Sequence, residues 1–280
     1  MVENASNAPS LYWHTQGQGA DLVLIHGWGM NGAVWQQTVE QLSQYFRVHV
    51  VDLPGFGHSA ATHTDSLQEM AEAVLEHAPQ QAIWLGWSLG GLVASHIAIY
   101  HPQRVTRLIT VASSPKFAAE TKTAAETQVS TETKAAAQKP WRGIQPLVLS
   151  NFTEQLLDDF RLTIERFMAL QAMGSPSARQ DVKTIKQAVL SRPEPNPASL
   201  LAGLNILADV DLRSELSAIT APVLRLYGRL DGLVPVKVAS DVQAIMPSSV
   251  MHIFQASSHA PFITELDEFC QKIVEFAALD

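Results

Sequence analysis

The chain has 280 residues, 46% of them hydrophobic and 16% charged, and a formal net charge of −8. This composition is typical of a globular protein with a large core, and the acidic balance argues against nucleic acid as a partner. Residues 1–10 lack the apolar segment of a signal peptide, and Cys270 has no second cysteine to pair with. We therefore expect a cytoplasmic protein. Separately, we expect a monomer.

Short apolar strands alternate with helix-length segments along most of the chain. The predicted strands are 22–25, 48–51, 82–85, 108–111, 223–227 and 250–254, and residues 10–14 could supply an antiparallel edge. The predicted helices are 35–44, 66–76, 89–100, 236–245 and 266–278. This alternation predicts the α/β class, with a mostly parallel central sheet flanked by helices.

The alternation is interrupted between residues 116 and 197. Residues 118–138 are rich in Ala, Thr, Glu, Lys and Gln, which predicts a mobile loop or a weak surface helix. Residues 152–173 and 178–190 have the pattern of amphipathic helices. We therefore predict a helical cap at 116–197, inserted into a core made of residues 1–115 and 198–280.

A serine lies between the third predicted strand and its helix, in the sequence GWSLG at 86–90. No Lys, Arg, Asp or Glu falls between Glu76 and Arg104, but the glycines break this apolar stretch, so we exclude a membrane span. The pattern G-x-S-x-G between a strand and a helix is typical of a nucleophile elbow. Ser88 is the predicted nucleophile.

A serine hydroxyl is a poor nucleophile at neutral pH and needs a base and an orienting acid. Asp231 and His259 each follow a predicted strand, at the sheet edge where Ser88 emerges. They also follow Ser88 in the order Ser, Asp, His that this motif requires. His252 lies inside a strand and Asp211 precedes one, which makes both weaker candidates.

Attack of a serine on a carbonyl carbon forms an oxyanion, which needs backbone N–H donors. Leu89, directly after the serine, is one candidate donor. Trp28 is the other, because Gly27 and Gly29 let the HGWG loop approach the site. The sequence contains no HExxH, paired cysteines, Walker loop or GxGxxG after the first strand, so we expect neither a metal nor a cofactor.

Five motifs resemble the α/β-hydrolase superfamily and fall in its order: HGWG, DLPGFGHS, GWSLGG, LDGLVP and SSHAPF. More narrowly, TVASSP, ERFMALQ, MGSPSARQD and LRLYGRLDGLVP resemble a family of serine esterases of biotin synthesis. The resemblance implies an α/β-hydrolase fold with a helical cap. It also implies hydrolysis of the methyl ester of a pimeloyl chain attached to acyl-carrier protein, with release of methanol.

In that reaction Ser88 would attack the ester carbonyl, His259 would take its proton, and Asp231 would orient His259. The resemblance further implies that the segment ERFMALQ lines a substrate channel. The residues it assigns to substrate binding are Trp28, Ser88, Leu89, Phe167, Met168, Ala169, Leu170, Gln171 and His259.

The partner that the resemblance implies is the acidic acyl-carrier protein. Segment 116–197 carries 11 Lys and Arg against 9 Asp and Glu, whereas the rest of the chain carries 8 against 18. The implied docking residues are Arg166, Arg179 and Lys183. Leu162 stands where the family has a basic residue, with Arg161 one position earlier, and Lys183 stands in place of an arginine.

Two other interpretations compete with this one. The chain could be a broad-specificity short-chain carboxylesterase without a carrier partner. It could also be a non-catalytic ligand receptor on a hydrolase fold, which the complete Ser, Asp and His set disfavours.

Overall fold

The computed structural model describes residues 10–120 and 139–278. Most of the predicted loop or weak helix at 118–138 therefore lies outside the described residues. None of the helices in the described part is long and apolar enough to cross a membrane.

A seven-stranded sheet forms the centre of the molecule, in the order β1-β3-β2-β4-β5-β6-β7. The strands are β1 Trp13–Gln16, β2 Ala20–Ile25, β3 Phe46–Val51, β4 Ala82–Trp87, β5 Val105–Val111, β6 Val223–Gly228 and β7 Val250–Phe254. Only β1 is antiparallel to its neighbour, and every other pair is parallel. The predicted α/β sheet is confirmed, and its antiparallel edge strand begins at Trp13 instead of at residue 10.

Helices cover this sheet, as the buried strands require. The helices are α1 Gln36–Leu42, α2 Leu67–His77, α3 Leu89–Tyr100, α4 Pro146–Asp158, α5 Phe160–Ala172, α6 Ala178–Leu190, α7 Pro197–Asp209, α8 Lys237–Ile245, α9 Pro261–Thr264 and α10 Leu266–Ala277. Every residue of β4 and β6 is buried. Continuous burial of this kind is typical of parallel strands that are covered on both faces.

In the described part of the chain, helices α4 to α7 lie between β5 and β6. The single helix predicted over 152–173 is wrong, because the chain breaks at Asp159 and forms α4 and α5. Asp159 has an extended backbone with φ of −146°, and its carboxylate accepts a hydrogen bond from the Leu162 N–H at 3.0 Å. A side chain that caps the second helix in this way favours a new start over a continuous helix.

The C-terminal end of α6 is bound to the loops that follow β2 and β3. Arg192 donates to Asp52 at 2.6 Å, and the Asp52 side chain is fully buried. The Asn31 amide also donates to the Val189 carbonyl at 3.0 Å. These contacts hold the C-terminal end of α6 against the loops at the carboxyl edge of the sheet, where the predicted site residues also lie.

Candidate active site

Ser88 stands at the sharp turn that joins β4 to α3. Its backbone has φ of 56° and ψ of −118°, a conformation that side-chain-bearing residues rarely adopt. Such a residue costs about 1–3 kcal/mol and persists only where its surroundings hold it. The Ser88 N–H donates to Val111 at 2.9 Å, and the Gly91 N–H donates to the Ser88 carbonyl at 2.9 Å.

The turn needs glycine on both sides of the serine because other backbone segments pass so close. A Cβ on Gly86 would overlap the Gly90 carbonyl oxygen, and a Cβ on Gly90 would lie 2.5 Å from the Ile25 oxygen. The Ser113 hydroxyl, on the neighbouring loop, donates to the Ser88 carbonyl at 2.8 Å. Sequence reasoning missed Ser113, because only the fold brings that loop beside the elbow.

Asp231 and His259 lie side by side after β6 and β7. Asp231 Oδ2 is 2.8 Å from His259 Nδ1, and both side chains are fully buried. Asp231 Oδ1 accepts from the N–H groups of Leu233 and Val234, at 2.8 and 2.9 Å. With both carboxylate oxygens occupied, the acid can hold the imidazole in one orientation.

The Nδ1 proton of His259 faces the carboxylate, which leaves Nε2 as the nitrogen with a free lone pair. Nε2 is buried and has no hydrogen-bond partner among the described residues, Ser88 included. Such bonds are often absent from ligand-free sites and form when substrate binds. Trp87 Nε1 donates to the His259 carbonyl at 2.7 Å and so connects the serine elbow to the histidine loop.

The loop after β2 carries Trp28, whose indole is held on three sides. Its Nε1 donates to the Leu200 carbonyl at 2.8 Å, and its ring meets Phe167 edge to face with centroids 4.8 Å apart. Gly203 of α7 lies against the same indole. The backbone of Trp28 and that of Leu89, the first residue of α3, therefore sit at the same sheet edge as Ser88.

His26 supports this loop from below. It is fully buried, and its Nε2 accepts from the Leu53 N–H at 3.0 Å while its Nδ1 lies 2.8 Å from the Gly27 carbonyl. Burial lowers the pKa of His26 to about 4, so the ring is neutral at physiological pH. A neutral ring can donate at one nitrogen and accept at the other, as these two contacts require.

Helix α5 presents some of the predicted substrate residues inward and others outward. Phe167, Met168 and Gln171 are buried, whereas Ala169 is exposed and Leu170 is half-buried. Gln171 Oε1 is buried without a hydrogen-bond partner among the described residues. An unpaired buried amide oxygen is costly, which marks this position as one where a polar ligand group would be favourable.

The predicted docking residues differ from their basic neighbours in their contacts. Arg179 and Lys183 are exposed on α6 and form no hydrogen bond or ion pair with any described residue. Arg166 donates to the neutral amide of Gln155 at 3.0 Å. Two nearby cations are held by carboxylates: Arg161 by Glu194 at 3.0 Å and Lys186 by Glu165 at 2.6 Å.

No group of three or more His, Cys, Asp or Glu side chains that could hold a metal ion occurs within 10–120 and 139–278.

The model of the α/β hydrolase fold family matches residues 22–266 of the chain. Solved structures agree with this class: an esterase from Exiguobacterium antarcticum superposes with a TM-score of 0.79 at 22% identity, covering 95% of this chain and 94% of that one. An enol-lactonase from Burkholderia xenovorans gives the same TM-score at 18% identity, with 96% of each chain covered. At these identities the structures show the fold alone.

Curated relatives are much closer in sequence. A pimeloyl-[acyl-carrier protein] methyl ester esterase from Vibrio campbellii is 65% identical over 269 residues, which cover 96% of this chain and 99% of the relative. A protein of the same name from Photobacterium profundum is 59% identical and covers 95% of this chain and 98% of its own length. The chain therefore belongs to the α/β-hydrolase family and, within it, to the family of these carboxylic ester hydrolases.

The contact between Gly203 and Trp28 gives a testable prediction. In a Gly203→Ala variant, the new Cβ would lie 2.5 Å from Trp28 Cδ1, so the indole and its loop must shift. Because loss of one oxyanion donor typically costs about 10²–10³ in rate, we expect kcat for p-nitrophenyl butyrate to fall at least about tenfold. Asn205→Ala, at an exposed position of the same helix, should leave kcat unchanged. Equal kcat values for the two variants would contradict a role for Trp28.

Proposed function

We propose that this enzyme hydrolyses the methyl ester of pimeloyl-[acyl-carrier protein] methyl ester to free pimeloyl-[acyl-carrier protein] and methanol, in biotin synthesis. The observation that carries the substrate assignment is the 65% identity, over 96% of the chain, to a relative with that activity in its name. The chemistry is supported by the buried His259–Asp231 pair at the same sheet edge as the Ser88 elbow.

In the proposed reaction, Ser88 Oγ attacks the ester carbonyl while His259 Nε2 takes the serine proton. The tetrahedral oxyanion is held by the backbone N–H groups of Trp28 and Leu89. His259 then protonates the departing methoxide. Methanol dissociates, and the acyl group remains bound to Ser88 Oγ as an ester. A water molecule, deprotonated by the same nitrogen, attacks the acyl group, and the proton returns to Ser88 as the pimeloyl carboxylic acid is released and loses its own proton to solvent.

Asp231 has two effects in this scheme. Its hydrogen bond keeps the proton of neutral His259 on Nδ1, so that Nε2 is free to act as the base. Its negative charge stabilises the imidazolium that forms after proton transfer. The two backbone donors on Oδ1 hold the carboxylate in place during both steps.

We further propose that helices α4–α6, within residues 116–197, form a cap over the site, and that the core comprises 1–115 and 198–280. Phe167, Met168 and Gln171 are buried on α5, and Phe167 packs against Trp28. In this arrangement the apolar chain of the substrate runs along Phe167 and Met168. The amide of Gln171, whose Oε1 lacks a partner among the described residues, faces the polar end of the substrate.

Carrier docking is proposed on the exposed face of α6. Arg179 and Lys183 are four residues apart, so their side chains share one side of the helix, and no carboxylate of the described residues neutralises them. Arg166 on α5 is bonded only to a neutral amide. Arg161, next to exposed Leu162, is paired with Glu194, which favours Arg166 over Arg161 as the α5 contribution.

We also propose that the enzyme acts in the cytoplasm as a monomer. Ser88, Asp231 and His259 all come from one chain, so no second copy is needed to complete the site. Cys270 is buried, and burial raises the pKa of its thiol to about 12, which keeps it protonated and unreactive. A single inert thiol fits a reducing compartment.

The substrate assignment predicts methanol release from carrier-bound pimeloyl methyl ester. We expect kcat/KM on this substrate to exceed that on p-nitrophenyl butyrate and on free dimethyl pimelate, because only the first carries the protein partner. Methanol from the two methyl esters is measured by an oxidase-coupled assay and p-nitrophenol from p-nitrophenyl butyrate by its absorbance, with Ser88→Ala as the blank for each ester. Equal kcat/KM for carrier-bound and free esters would favour a broad short-chain carboxylesterase and overturn the carrier assignment.

If carrier docks on α6, removing the unpaired cations should lower kcat/KM for the carrier-bound substrate more than removing the paired ones. Arg179→Ala/Lys183→Ala should lower kcat/KM for the carrier-bound substrate about tenfold at low salt, through the loss of charge complementarity. The matched control, Arg161→Ala/Lys186→Ala, removes the same charge from two cations that are already paired, and should change kcat/KM less than about twofold. Equal losses in both double variants would show that net charge, and not this face, governs association.

A further inference from the structure

Asp181 is a buried acidic residue on α6, and none of the steps proposed above uses it. Three hydroxyl groups donate to its Oδ2: Ser175 at 2.7 Å, Thr264 at 3.0 Å and Ser177 at 3.1 Å. The residue is 4% exposed, and no cationic side chain forms an ion pair with it in the described part of the chain. A buried carboxylate without a counter-ion is tolerated only while it is hydrogen-bonded. Moving any of these hydroxyl groups away would therefore cost free energy, and the carboxylate holds all three in position.

One of these donors belongs to the segment that carries His259. Thr264 is the last residue of α9, which begins at Pro261, two residues after His259. The other acceptor near its hydroxyl is the Ala260 carbonyl, at 3.5 Å, so the carboxylate of Asp181 is the nearer one. The bond from Thr264 to Asp181 therefore joins α6 to segment 259–264.

A second bond joins the inserted helices to the same segment. The backbone N–H of His259 donates to the Gln171 carbonyl at 2.9 Å, in the last turn of α5. The stretch 171–181 thus holds segment 259–264 at both of its ends, at His259 through a backbone bond and at Thr264 through a side-chain bond. On its other side, the His259 carbonyl is held by Trp87.

We propose that Asp181 is a positioning residue for ester hydrolysis, which fixes the imidazole of His259 through Thr264. Asp181 touches neither Ser88 nor His259, so it acts only through the segment it supports. This inference rests on the proposed role of His259 as the base, but it does not depend on the carrier-bound substrate. Small displacements of a catalytic group have large effects, since a shift of about 1 Å can cost about 10²-fold in rate.

Helix α6 consequently has two faces with different tasks. Asp181 lies two residues from both Arg179 and Lys183, which places it about 200° around the helix from them. The exposed face presents the proposed docking cations, and the buried face supports the histidine segment. The position of α6 over the core is therefore coupled to the position of His259.

The test is Thr264→Val, which keeps the shape of the side chain and removes its hydroxyl. Because the substrate contacts are unchanged while the base is less well positioned, we expect kcat for p-nitrophenyl butyrate to fall about tenfold with KM changed less than about twofold. Thr264→Ser restores the hydroxyl and should bring kcat back to within about twofold of wild type. A kcat of Thr264→Val within twofold of wild type, or no rescue by serine, would overturn the proposal.

Thr163→Val is the matched control. Thr163 is 1% exposed in α5, and among the described residues its hydroxyl donates only to the carbonyl of Asp159, the residue that caps this helix. The same chemical change at this site should lower the melting temperature at least as much as Thr264→Val and leave kcat unchanged. If Thr163→Val lowers kcat as much as Thr264→Val, the effect is general loosening of the helices and the proposal is wrong.

The variant Asp181→Asn gives a second test of the proposal, which can be made even if the Thr264→Val variant does not fold. It retains an acceptor oxygen and removes the charge, and we expect kcat to fall about fivefold. In the double variant Asp181→Asn/Thr264→Val, kcat should be no lower than in the less active of the two single variants. Both changes break the same hydrogen bond, between Thr264 and Asp181. Losses that multiply would contradict a shared link.

Failure of this inference is distinguishable from failure of the proposed mechanism. Substantial activity in His259→Ala would remove the base and the mechanism with it. An inactive His259→Ala together with a normal Thr264→Val would leave the mechanism standing and overturn only the role of Asp181.

Discussion

The backbone of Ser88 is the constraint on which the rest of the site depends. A residue with a side chain is held at φ of 56° between β4 and α3, and it stays there because neighbouring backbone segments meet around it. Gly86 and Gly90 leave room for that meeting, and bonds from Ser88 to Val111 and from Ser113 to Ser88 tie the elbow to β5 and its loop. The parallel sheet brings Asp231 and His259 to the same edge, so one strained turn and one sheet order define the chemistry.

The inserted helices α4–α6, which we propose as a cap, also contact the residues of the proposed site. Phe167 packs on Trp28, and the Gln171 carbonyl accepts from the backbone of His259. The proposed oxyanion loop and the proposed base therefore each have a contact with the inserted helices. A change in the position of α5 or α6 would therefore displace both the Trp28 loop and His259.

The sequence predicted the elements whose signals are local. Apolar strands bounded by turn residues gave the parallel sheet, and the GWSLG, LDG and SSH motifs gave three side chains at one edge, because parallel strands end together. The helix break at Asp159 was missed because an aspartate inside an amphipathic pattern is also compatible with a continuous helix. Ser113, Gly203 and the Asp181–Thr264 bond could not be predicted, since each depends on contacts between residues far apart in the chain, which no local pattern encodes.

We propose that Ser88, held on the elbow at the same sheet edge as His259, is the nucleophile. The most direct test of this proposal is to label the enzyme with a fluorophosphonate, which reacts with activated serines, and to map the modified peptide by mass spectrometry while following loss of esterase activity. We expect a single adduct on Ser88, formed in step with the loss of activity, and no adduct in Asp231→Asn/His259→Ala. An adduct on another residue, or full activity in labelled enzyme, would contradict this account.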